Sequence, residues 1–435
     1  MAKAFLYSND EAGRYPASYY AATANTLPPF PEQRGDEQAD VCVVGGGFTG
    51  LSSALHLAQA GYKVILLEAH KVGWGASGRN GGQLGTGQRL DQDTLEKAHG
   101  REIARQLWDL SMESVQLCRE LIAEHQIDCD LQSGIIHADH RRRYVTETQR
   151  YVEKLQREYD HEQIRFLSPD EMHEQVASPA YYGGSLDLAA AHLHPLNYAQ
   201  GLAKAAAQAG ALMYEQSPVI SYAKGDTLKI KTRSGKISAK YLILACNGYL
   251  DGLENRVASR IMPINNFMVA TEPMSDAERQ AIIRQRYAVA DSKFVVNYFR
   301  FSADNRLLFG GGENYSFRFP ADIKAFVRPH LLEIFPQLQD TRLDYGWGGT
   351  LAITLQRMPC FMRVAPNVFS ASGYSGHGVA MATLAGKLMA EVVDGTSSRF
   401  DVMNRIKTYP FPGGTLLRWP LLVLAMSWYS LRDRF

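Results

Sequence analysis

Cysteine is scarce in this chain of 435 residues, and no apolar run in its sequence is long enough to span a membrane. The five cysteines are odd in number and do not show the spacing of metal ligands. Cys42 and Cys246 lie in apolar, strand-like runs, a pattern typical of buried thiols in a reducing compartment. The first ten residues lack the apolar segment of a signal peptide. We therefore expect a cytoplasmic protein.

An excess of charge of either sign is also missing, since 46 lysines and arginines are balanced by 45 aspartates and glutamates. Such a balance gives no electrostatic reason to expect a nucleic acid as a partner. Candidate metal ligands are equally few. His192 and His194 occupy alternate positions of an extended segment, but no further ligands stand at suitable spacing. We expect neither nucleic acid nor metal to bind.

What the sequence does contain is a glycine-rich turn between a strand and a helix, within Asp40–Leu51. The apolar run Val41–Val44 predicts a strand that is buried on both faces. Gly45, Gly47 and Gly50 follow with the spacing G-x-G-x-x-G. The first glycine allows a tight turn, the second lets a pyrophosphate approach, and the third lets the helix lie close to the strand. The motif alone fits either a dinucleotide site or an ordinary α/β unit.

A second strand and an acidic residue complete this unit. The helix ends at Gly61, the strand Lys63–Leu67 follows, and Glu68 stands at its end, about 20 residues past the glycines. A carboxylate in this place accepts hydrogen bonds from ribose hydroxyls. Because all of these elements agree, the sequence favours a dinucleotide-binding βαβ unit. No second full motif of this kind is present, so we expect electrons to come from the substrate rather than from NAD(P)H.

Two further glycine-rich stretches suggest a large ligand. The loop Val72–Gln83 follows shortly after Glu68, and its backbone N–H groups are suited to phosphate, ribityl or ring oxygens. A strand at Val368–Ala371, a turn at Gly373–Gly378 and a helix at Val379–Glu391 repeat the strand–turn–helix pattern. The start of that helix offers unpaired N–H groups to a group that becomes negatively charged.

The stretches VVGGGFTGLSSALHLA, VILLEA, GWGASGRNGG and SGYSGHGV resemble the FAD-dependent amine and amino-acid oxidases of the D-amino-acid oxidase superfamily. Within it, the chain is most similar to members that act on gamma-glutamylated diamines. The resemblance covers nearly the whole chain. It implies an α/β fold in which a Rossmann-like FAD-binding domain of the glutathione-reductase type wraps around a mixed-sheet α+β substrate domain. Relatives with covalent flavin use a cysteine near the third turn, but Cys360 is expected to pack in the core, so non-covalent FAD is expected.

The resemblance also implies the domain boundaries. We expect an N-terminal arm packed on the body by its tyrosines (1–38), a discontinuous FAD-binding domain (39–95, 175–260 and 345–400), a substrate domain (96–174 and 261–344) and an apolar C-terminal tail (401–435).

The residues expected to bind FAD lie in the glycine stretches, at the end of the second strand and in the returning strand of the family. They are Gly45, Gly47, Phe48, Thr49, Gly50, Glu68, Ala69, Gly75, Ala76, Ser77, Arg79, Asn80, Gly81, Gly82, Val219, Cys246, Asn247, Gly248, Gly349, Gly373, Ser375, Gly376, His377 and Gly378.

The catalytic residues expected from the resemblance are Tyr298, Arg300 and His377. Relatives use a Tyr-x-Arg pair on the substrate sheet to shape the pocket, and some use an arginine there to bind a substrate carboxylate. The alternative for Arg300 is a surface or domain-interface position. Arg79, Arg300 and His377 are candidates for a basic group over the flavin, since no lysine occurs in Pro263–Val269.

The resemblance implies oxidation of a primary amine, such as a gamma-glutamylated diamine, to an aldehyde with release of ammonia and hydrogen peroxide. One alternative is a D-amino-acid or N-methyl-amino-acid oxidase (sarcosine or glycine type) or a quinone-linked dehydrogenase; another is a flavin-binding protein without turnover. The acceptor is therefore either oxygen or a quinone. The apolar stretch Leu416–Tyr429 predicts a helix docked on the body or a peripheral contact with the inner membrane face, with Arg418, Arg432 and Arg434 at its rim.

Overall fold

The computed structural model describes residues 5–314 and 316–415. Its strands, in chain order, are β1 (Gly35–Val44), β2 (Val64–Leu67), β3 (Gln83–Leu84), β4 (Gln132–Ala138), β5 (Ile164–Leu167), β6 (Gly184–His192), β7 (Leu212–Tyr214), β8 (Ser221–Ala223), β9 (Leu228–Lys231), β10 (Gly235–Leu244), β11 (Met262–Thr271), β12 (Ala288–Asp291), β13 (Tyr298–Phe301), β14 (Leu307–Asn314), β15 (Leu343–Ile353), β16 (Cys360–Ala365) and β17 (Val368–Ser372).

The helices are α1 (Tyr19–Ala22), α2 (Phe48–Gln59), α3 (Gln92–His99), α4 (Arg101–Glu124), α5 (Arg142–Tyr159), α6 (Pro169–Gln175), α7 (Pro195–Gln208), α8 (Asn255–Ala258), α9 (Asp276–Ile282), α10 (Ile323–Ile334), α11 (Gly378–Val393) and α12 (Ser398–Arg405). Short 3₁₀ turns occur at Phe5–Tyr7, Ala76–Gly78, Asn247–Tyr249 and Pro336–Leu338.

The first sheet has the order β16-β17-β10-β1-β2-β7, with β8 and β9 extending it beside β10. Its central strand β1 is parallel to both neighbours, β2 and β10. The residues Val41–Val44 are buried, as expected for a strand covered on both faces. Helices α2, α7 and α11 cover one face, and their apolar side chains form the largest core cluster. This is the predicted Rossmann-like layer.

Helices α2 and α11 pack closely because Gly386 lies at their contact. A Cβ atom at Gly386 would lie 2.5 Å from the carbonyl oxygen of Thr49. Both helices follow parallel strands of the first sheet, so their N-termini lie at the same edge of that sheet. The close approach at Gly386 holds the two helices side by side.

The second sheet has the order β15-β11-β14-β13-β12-β4-β6-β3, with β5 paired to β6. It mixes one parallel pair, β4 with β12, with antiparallel pairs. Helix α10 packs on this sheet, and a separate apolar cluster fills the space between them. The fold is therefore α/β with a mixed-sheet second layer, as predicted.

Three local predictions can be compared with the elements. Ser168 and Glu171 form the predicted capping box at the start of α6. The helical region predicted over residues 92–125 is divided into α3 and α4 at Gly100, whose φ of +83° interrupts the helix. The strand predicted at Phe294–Arg300 begins only at Tyr298, because Asp291 accepts hydrogen bonds from the backbone N–H groups of Lys293 and Asn297 and bends the chain there.

Three strands belong to the other sheet from the one that their predicted domain implies. β3, β6 and nearly all of β15 fall in ranges assigned to the FAD-binding domain, yet all three pair within the second sheet. The alternation of apolar residues specifies a strand but not its partner, so the sequence could not separate the two sheets here.

The N-terminal arm packs on the body through its tyrosines, as predicted. Tyr19 and Tyr20 are buried, and Tyr15 donates a hydrogen bond from its hydroxyl to the carbonyl oxygen of Val72. The predicted tail segment Leu416–Tyr429 lies outside the described residues. Among the residues that are described, no helix combines the length and apolar character needed to cross a membrane.

Candidate functional site

A cavity of about 430 Å³ opens beside the glycine turn that follows β1. Gly45 takes a φ of +110°, which only glycine adopts readily, and this lets the chain turn from β1 into α2. A Cβ atom at Gly50 would lie 1.8 Å from the carbonyl oxygen of Gly45, so a side chain at this position does not fit. The first and third glycines therefore serve the turn and the helix packing.

Gly47 has a different environment. Its Cβ atom would meet the Oγ atom of Ser77 at 2.8 Å and nothing else closer than 3.7 Å, and Gly47 lines the cavity. It is also the N-cap of α2 and provides no side-chain cap. Apart from the N–H group of Phe48, which donates to the Oγ atom of Ser77, the first N–H groups of α2 are thus left for a ligand, which is the arrangement that binds phosphates.

Glu68 lies at the end of β2 and lines the same cavity. Its two carboxylate oxygens accept hydrogen bonds from the backbone N–H groups of Gly46 at 2.6 Å and His70 at 2.8 Å. Burial raises the pKa of this carboxyl group to about 7. Glu68 therefore shapes the glycine turn as well as facing the cavity, and each oxygen retains a lone pair for a further hydroxyl group.

The loop that follows Glu68 is held by its own side chains. The Oγ atom of Ser77 accepts a hydrogen bond from the N–H group of Phe48 at 3.0 Å. Asn80 donates to the carbonyl oxygens of Ala76 and Ser77 and accepts from the N–H group of Gly82. These contacts fix the loop across the mouth of the glycine turn.

A segment of the N-terminal arm, residues 5–15, forms an outer wall that the sequence did not predict. Leu6 and Tyr7 line the first cavity. The imidazole of His70 holds this segment from both sides, since its Nδ1 atom accepts from the N–H group of Gly13 and its Nε2 atom donates to the carbonyl oxygen of Leu6. Burial lowers the pKa of His70, which favours this neutral form.

A second cavity, of about 330 Å³, lies between the turn before α11 and the second sheet. The turn residues Ser375, Gly376, His377 and Gly378 form one wall. His377 is the N-cap of α11 but makes no side-chain capping bond, so the first N–H groups of this helix are also left for a ligand.

Tyr298 projects from β13 into the second cavity. Its ring fills the space beside two glycines, because Cβ atoms at Gly81 and Gly310 would lie 2.7 Å and 2.1 Å from ring atoms. Its hydroxyl group donates to the Oδ1 atom of Asn266 at 2.5 Å, and Asn266 also lines the cavity. The pair forms one polar position on the wall of this cavity.

Two histidines of this cavity are held in the neutral form. Burial lowers the pKa of His377 to about 4, and the positive charge of Arg89 adds to the effect. Burial and Arg89 also lower the pKa of His137, although its side chain is exposed toward the cavity. The burial of His377 and the positive charge of Arg89 near both rings disfavour the charged imidazolium.

Arg300 is not part of either cavity wall. Its guanidinium is almost completely buried, and it donates to the carbonyl oxygens of Gly81 and Leu193 at 2.9 Å and 2.7 Å. The expectation that Arg300 reaches a substrate carboxylate is therefore corrected to the interface alternative. The cause is local: these carbonyl groups lie close to β13 and would otherwise be unpaired.

The guanidinium of Arg79 is likewise bound to acceptors of the protein itself. Its guanidinium pairs with Asp10 at 2.7 Å, donates to the carbonyl oxygens of Trp74 and Gly348, and lies over the ring of Trp74. It joins the N-terminal arm to the second sheet and does not line either cavity. It is thus not positioned as a basic group over a ligand.

The remaining predicted residues fall into two groups. The cavity walls include Gly45, Gly47, Phe48, Thr49, Glu68, Ala69, Gly75, Ala76, Ser77, Asn80, Gly81, Val219, Cys246, Asn247, Ser375, Gly376, His377, Gly378 and Tyr298. Outside the walls, besides the two arginines, are Gly50, Gly82, Gly248, Gly349 and Gly373. A Cβ atom at each of these five glycines would come within 3.2 Å of a neighbouring atom, so they serve close packing behind the walls.

Other wall residues were not predicted. They include Leu6, Tyr7, Arg89, His137, Arg233, Asn266, Asp291, Phe294 and Arg357. Most stand in loops or on strands of the second sheet without a glycine motif, and only the three-dimensional fold brings them to the cavities.

The two cavities share Gly47, Ala76, Ser77, Ala245 and Asn247, so they adjoin each other. A long dinucleotide fits this shape, with two uncapped helix N-termini along its path and a carboxylate at one end. Gly47, Ser77 and Glu68 would hold the adenosine diphosphate part, and Asn80 and residues 375–378 would hold the ring system. Such a fold and site are typical of a dinucleotide-dependent oxidoreductase.

Comparison with known proteins narrows this class. Residues 40–392 match the family described as DAO, FAD dependent oxidoreductase, and the chain belongs to this family. It is 42% identical to gamma-glutamylputrescine oxidoreductase of Escherichia coli (strain K12) over 419 residues, 96% of this chain and 98% of that protein. The protein is an FAD-dependent oxidoreductase.

Solved structures show the same fold. Glycine oxidase from Geobacillus kaustophilus superposes with a TM-score of 0.73 at 21% identity, covering 87% of this chain and 100% of that one. L-proline dehydrogenase from P. horikoshii superposes with a TM-score of 0.67 at 23% identity, covering 85% and 96%.

Proposed function

We propose that this protein oxidises the C–N bond of a primary amine of the gamma-glutamylputrescine type, giving an aldehyde, ammonia and hydrogen peroxide. The observation that carries the proposal is the 42% identity to gamma-glutamylputrescine oxidoreductase over 96% of the chain. The second cavity supports it, since a wall of substrate-sheet residues faces the turn expected to hold the flavin ring.

The reaction needs no further cofactor. Bound FAD supplies a two-electron acceptor for the hydride that leaves the carbon next to the amine nitrogen. The nitrogen lone pair forms the C=N bond as the hydride leaves, and the nitrogen then loses a proton. Water adds to the imine, and the C–N bond breaks to release ammonia and the aldehyde. Oxygen takes up the two electrons and two protons and becomes hydrogen peroxide.

The chain's own residues would position the amine and keep it reactive. The hydroxyl of Tyr298 and the side chain of Asn266 form the polar position that we assign to the amine nitrogen. The amine must be neutral, because an ammonium group has no lone pair to form the C=N bond. Carboxylates in the cavity would stabilise the ammonium form of the substrate. The neutral imidazoles of His137 and His377 would not.

The test is anaerobic reduction of the purified, FAD-loaded protein. Gamma-glutamylputrescine should bleach the flavin absorption without added nicotinamide, at a rate that rises with pH as the amine loses its proton. A protein that is reduced by glycine, sarcosine or D-amino acids but not by this diamine derivative would contradict the proposed substrate. Absence of reduction by every amine and amino acid would contradict the proposed reaction.

The acceptor and the mode of FAD binding need separate measurements. Readmission of oxygen should restore the flavin spectrum and give one hydrogen peroxide per substrate; reoxidation only by a quinone would contradict oxygen as the acceptor. Acid precipitation should release FAD into the supernatant, since Cys360 is buried in β16 and lines neither cavity. Flavin that remains in the precipitate would contradict non-covalent binding.

A further inference from the structure

A short turn at residues 354–358 projects an arginine into the second cavity. The Oγ1 atom of Thr354 donates to the carbonyl oxygen of Met358 at 2.7 Å, and the N–H group of Arg357 donates to the carbonyl oxygen of Thr354 at 3.2 Å. The N–H group of Thr354 donates to the Oγ atom of Ser375 at 3.3 Å. The turn is thereby fastened to the wall that faces the ligand.

The backbone of Arg357 is strained. Its φ is +62°, in the left-handed region that glycine or asparagine occupies far more readily than arginine. A residue that keeps such a conformation at a cavity wall often does so for function. The fold alone would be better served by a glycine at this position.

The guanidinium of Arg357 is available for a ligand. It is half-buried, lines the second cavity and lies 5.1 Å from the ring centroid of Phe294. Within residues 5–314 and 316–415, its side chain makes neither an ion pair nor a hydrogen bond. Arg79 and Arg300, by contrast, both use their guanidinium groups on protein acceptors.

The charges around this cavity favour an anion. Among the described residues of its wall, Arg89 and Arg357 are cationic, and Asp291 is the single carboxyl group. Asp291 already accepts from the N–H groups of Lys293 and Asn297 and from the side chain of Asn297, and burial raises its pKa to about 6. Both of its oxygens are therefore already used by hydrogen bonds within residues 291–297.

We propose that Arg357 binds a carboxylate at the end of the substrate remote from the reacting amine. It would thereby select amines that carry such a carboxylate over simple diamines. The inference rests on the proposed amine oxidation and names the part of the substrate that the second cavity recognises. A guanidinium binds a carboxylate through two parallel hydrogen bonds, and the ring of Phe294 supports the guanidinium from one side. A carboxylate would supply the partner that the protein does not.

The first experiment needs no variant. The substrate pair is gamma-glutamylputrescine and the same molecule with its α-carboxylate converted to a primary amide, so that only the anion is lost. The unmodified protein should show a KM for the amide about 10- to 100-fold higher, as expected for the loss of hydrogen bonds to a charged group, with little change in kcat. Equal KM values would overturn the proposal while leaving the proposed amine oxidation intact.

The second experiment changes the arginine. Arg357→Asn tolerates the left-handed backbone and removes the cation, so it should raise KM for the carboxylate about 10- to 100-fold and leave the amide nearly unchanged. Arg357→Lys should raise this KM less than Arg357→Asn does, because lysine keeps the positive charge but cannot form two parallel hydrogen bonds to the carboxylate. Arg363→Asn removes an equal charge outside the cavity and is the matched control. A loss of the same size for both substrates would refute the assignment.

A binding measurement tests recognition of the carboxylate independently of the oxidation reaction. A gamma-glutamyl amide of butylamine lacks the reactive amine and can be titrated against the flavin absorption spectrum. Its Kd should rise in Arg357→Asn by the same factor as KM. Arg357→Gly should raise the melting temperature by relieving the backbone strain while weakening this ligand. An unchanged Kd in both variants would show that Arg357 does not bind the carboxylate, whatever the protein's activity.

Discussion

The glycines of the first turn should respond to alanine in opposite ways. Gly50→Ala would place a Cβ atom 1.8 Å from the carbonyl oxygen of Gly45, a backbone atom that cannot move without moving the turn. Overpacking of this kind costs about 3 kcal/mol of the unfolding free energy. The higher helix propensity of alanine returns about 1 kcal/mol at most. We expect a net loss of about 2 kcal/mol and a displaced start of α2.

Gly47→Ala should leave the fold nearly intact. Its Cβ atom would meet only the Oγ atom of Ser77, at 2.8 Å, and that side chain can rotate away. The rotation gives up the hydrogen bond from the N–H group of Phe48, worth about 1 kcal/mol. The methyl group would then stand where we expect the pyrophosphate to lie, so FAD binding should fall steeply. Gly47→Ala with Ser77→Ala should remove the clash and still not restore FAD binding.

The assay is urea unfolding of the FAD-free proteins, because bound FAD would itself stabilise the native state. FAD affinity is measured separately by quenching of flavin fluorescence. Gly225→Ala, whose Cβ atom would make only an ordinary contact at 3.5 Å, is the control. Wild-type affinity for FAD in Gly47→Ala, or wild-type stability in Gly50→Ala, would refute this division of roles.

Glu68→Gln should weaken FAD binding and also cost the FAD-free protein about 1 to 3 kcal/mol, since the NH2 group that replaces one carboxylate oxygen cannot accept a hydrogen bond from a backbone N–H group; unchanged urea unfolding would contradict this. Deleting residues 1–13 removes Leu6 and Tyr7 from the first cavity and should speed FAD release in a fluorescence chase; an unchanged rate would exclude a role in retention. His194, whose pKa burial lowers to about 3, should make stability fall as pH drops from about 6.5 toward 3, because the unfolded chain binds the proton first; His194→Asn should flatten the profile.

The sequence predicted several residues of the first cavity wall because their determinants are local. A glycine turn, the strand before it and the acid at the end of the next strand are close in sequence, and each constrains the backbone at its own position. The structure therefore has Gly47 and Glu68 on the cavity wall and Gly50 behind it. Sequence spacing carries this information directly.

The rest of the cavity wall depends on contacts between distant segments. Leu6 and Tyr7 reach the first cavity because His70 holds the arm by both ring nitrogens. Asn266 reaches the second cavity because its strand, β11, pairs with β14 and β15. No periodicity in either segment indicates these partners, so sequence reasoning had no signal for them.

The arginines show most clearly where the sequence stops being informative. Tyr298 and Arg300 are two residues apart on β13 and so project from the same face, yet only the tyrosine lines the cavity. Arg300 instead donates hydrogen bonds to the carbonyl groups of Gly81 and Leu193. The spacing of residues in the sequence does not indicate that these acceptors lie near Arg300.

A cation's role is set by the acceptors around it. Arg79 has Asp10 and two carbonyl groups, Arg300 has two carbonyl groups at under 3 Å, and both are thereby structural. Arg357 has an aromatic ring and a strained backbone but no protein acceptor among the described residues. A guanidinium so placed gains most from an anion that arrives with the substrate, because a partly buried charge is costly until it is paired. We therefore expect the substrate carboxylate to bind at the turn between β15 and β16, and not on the sheet, where the family resemblance put its partner.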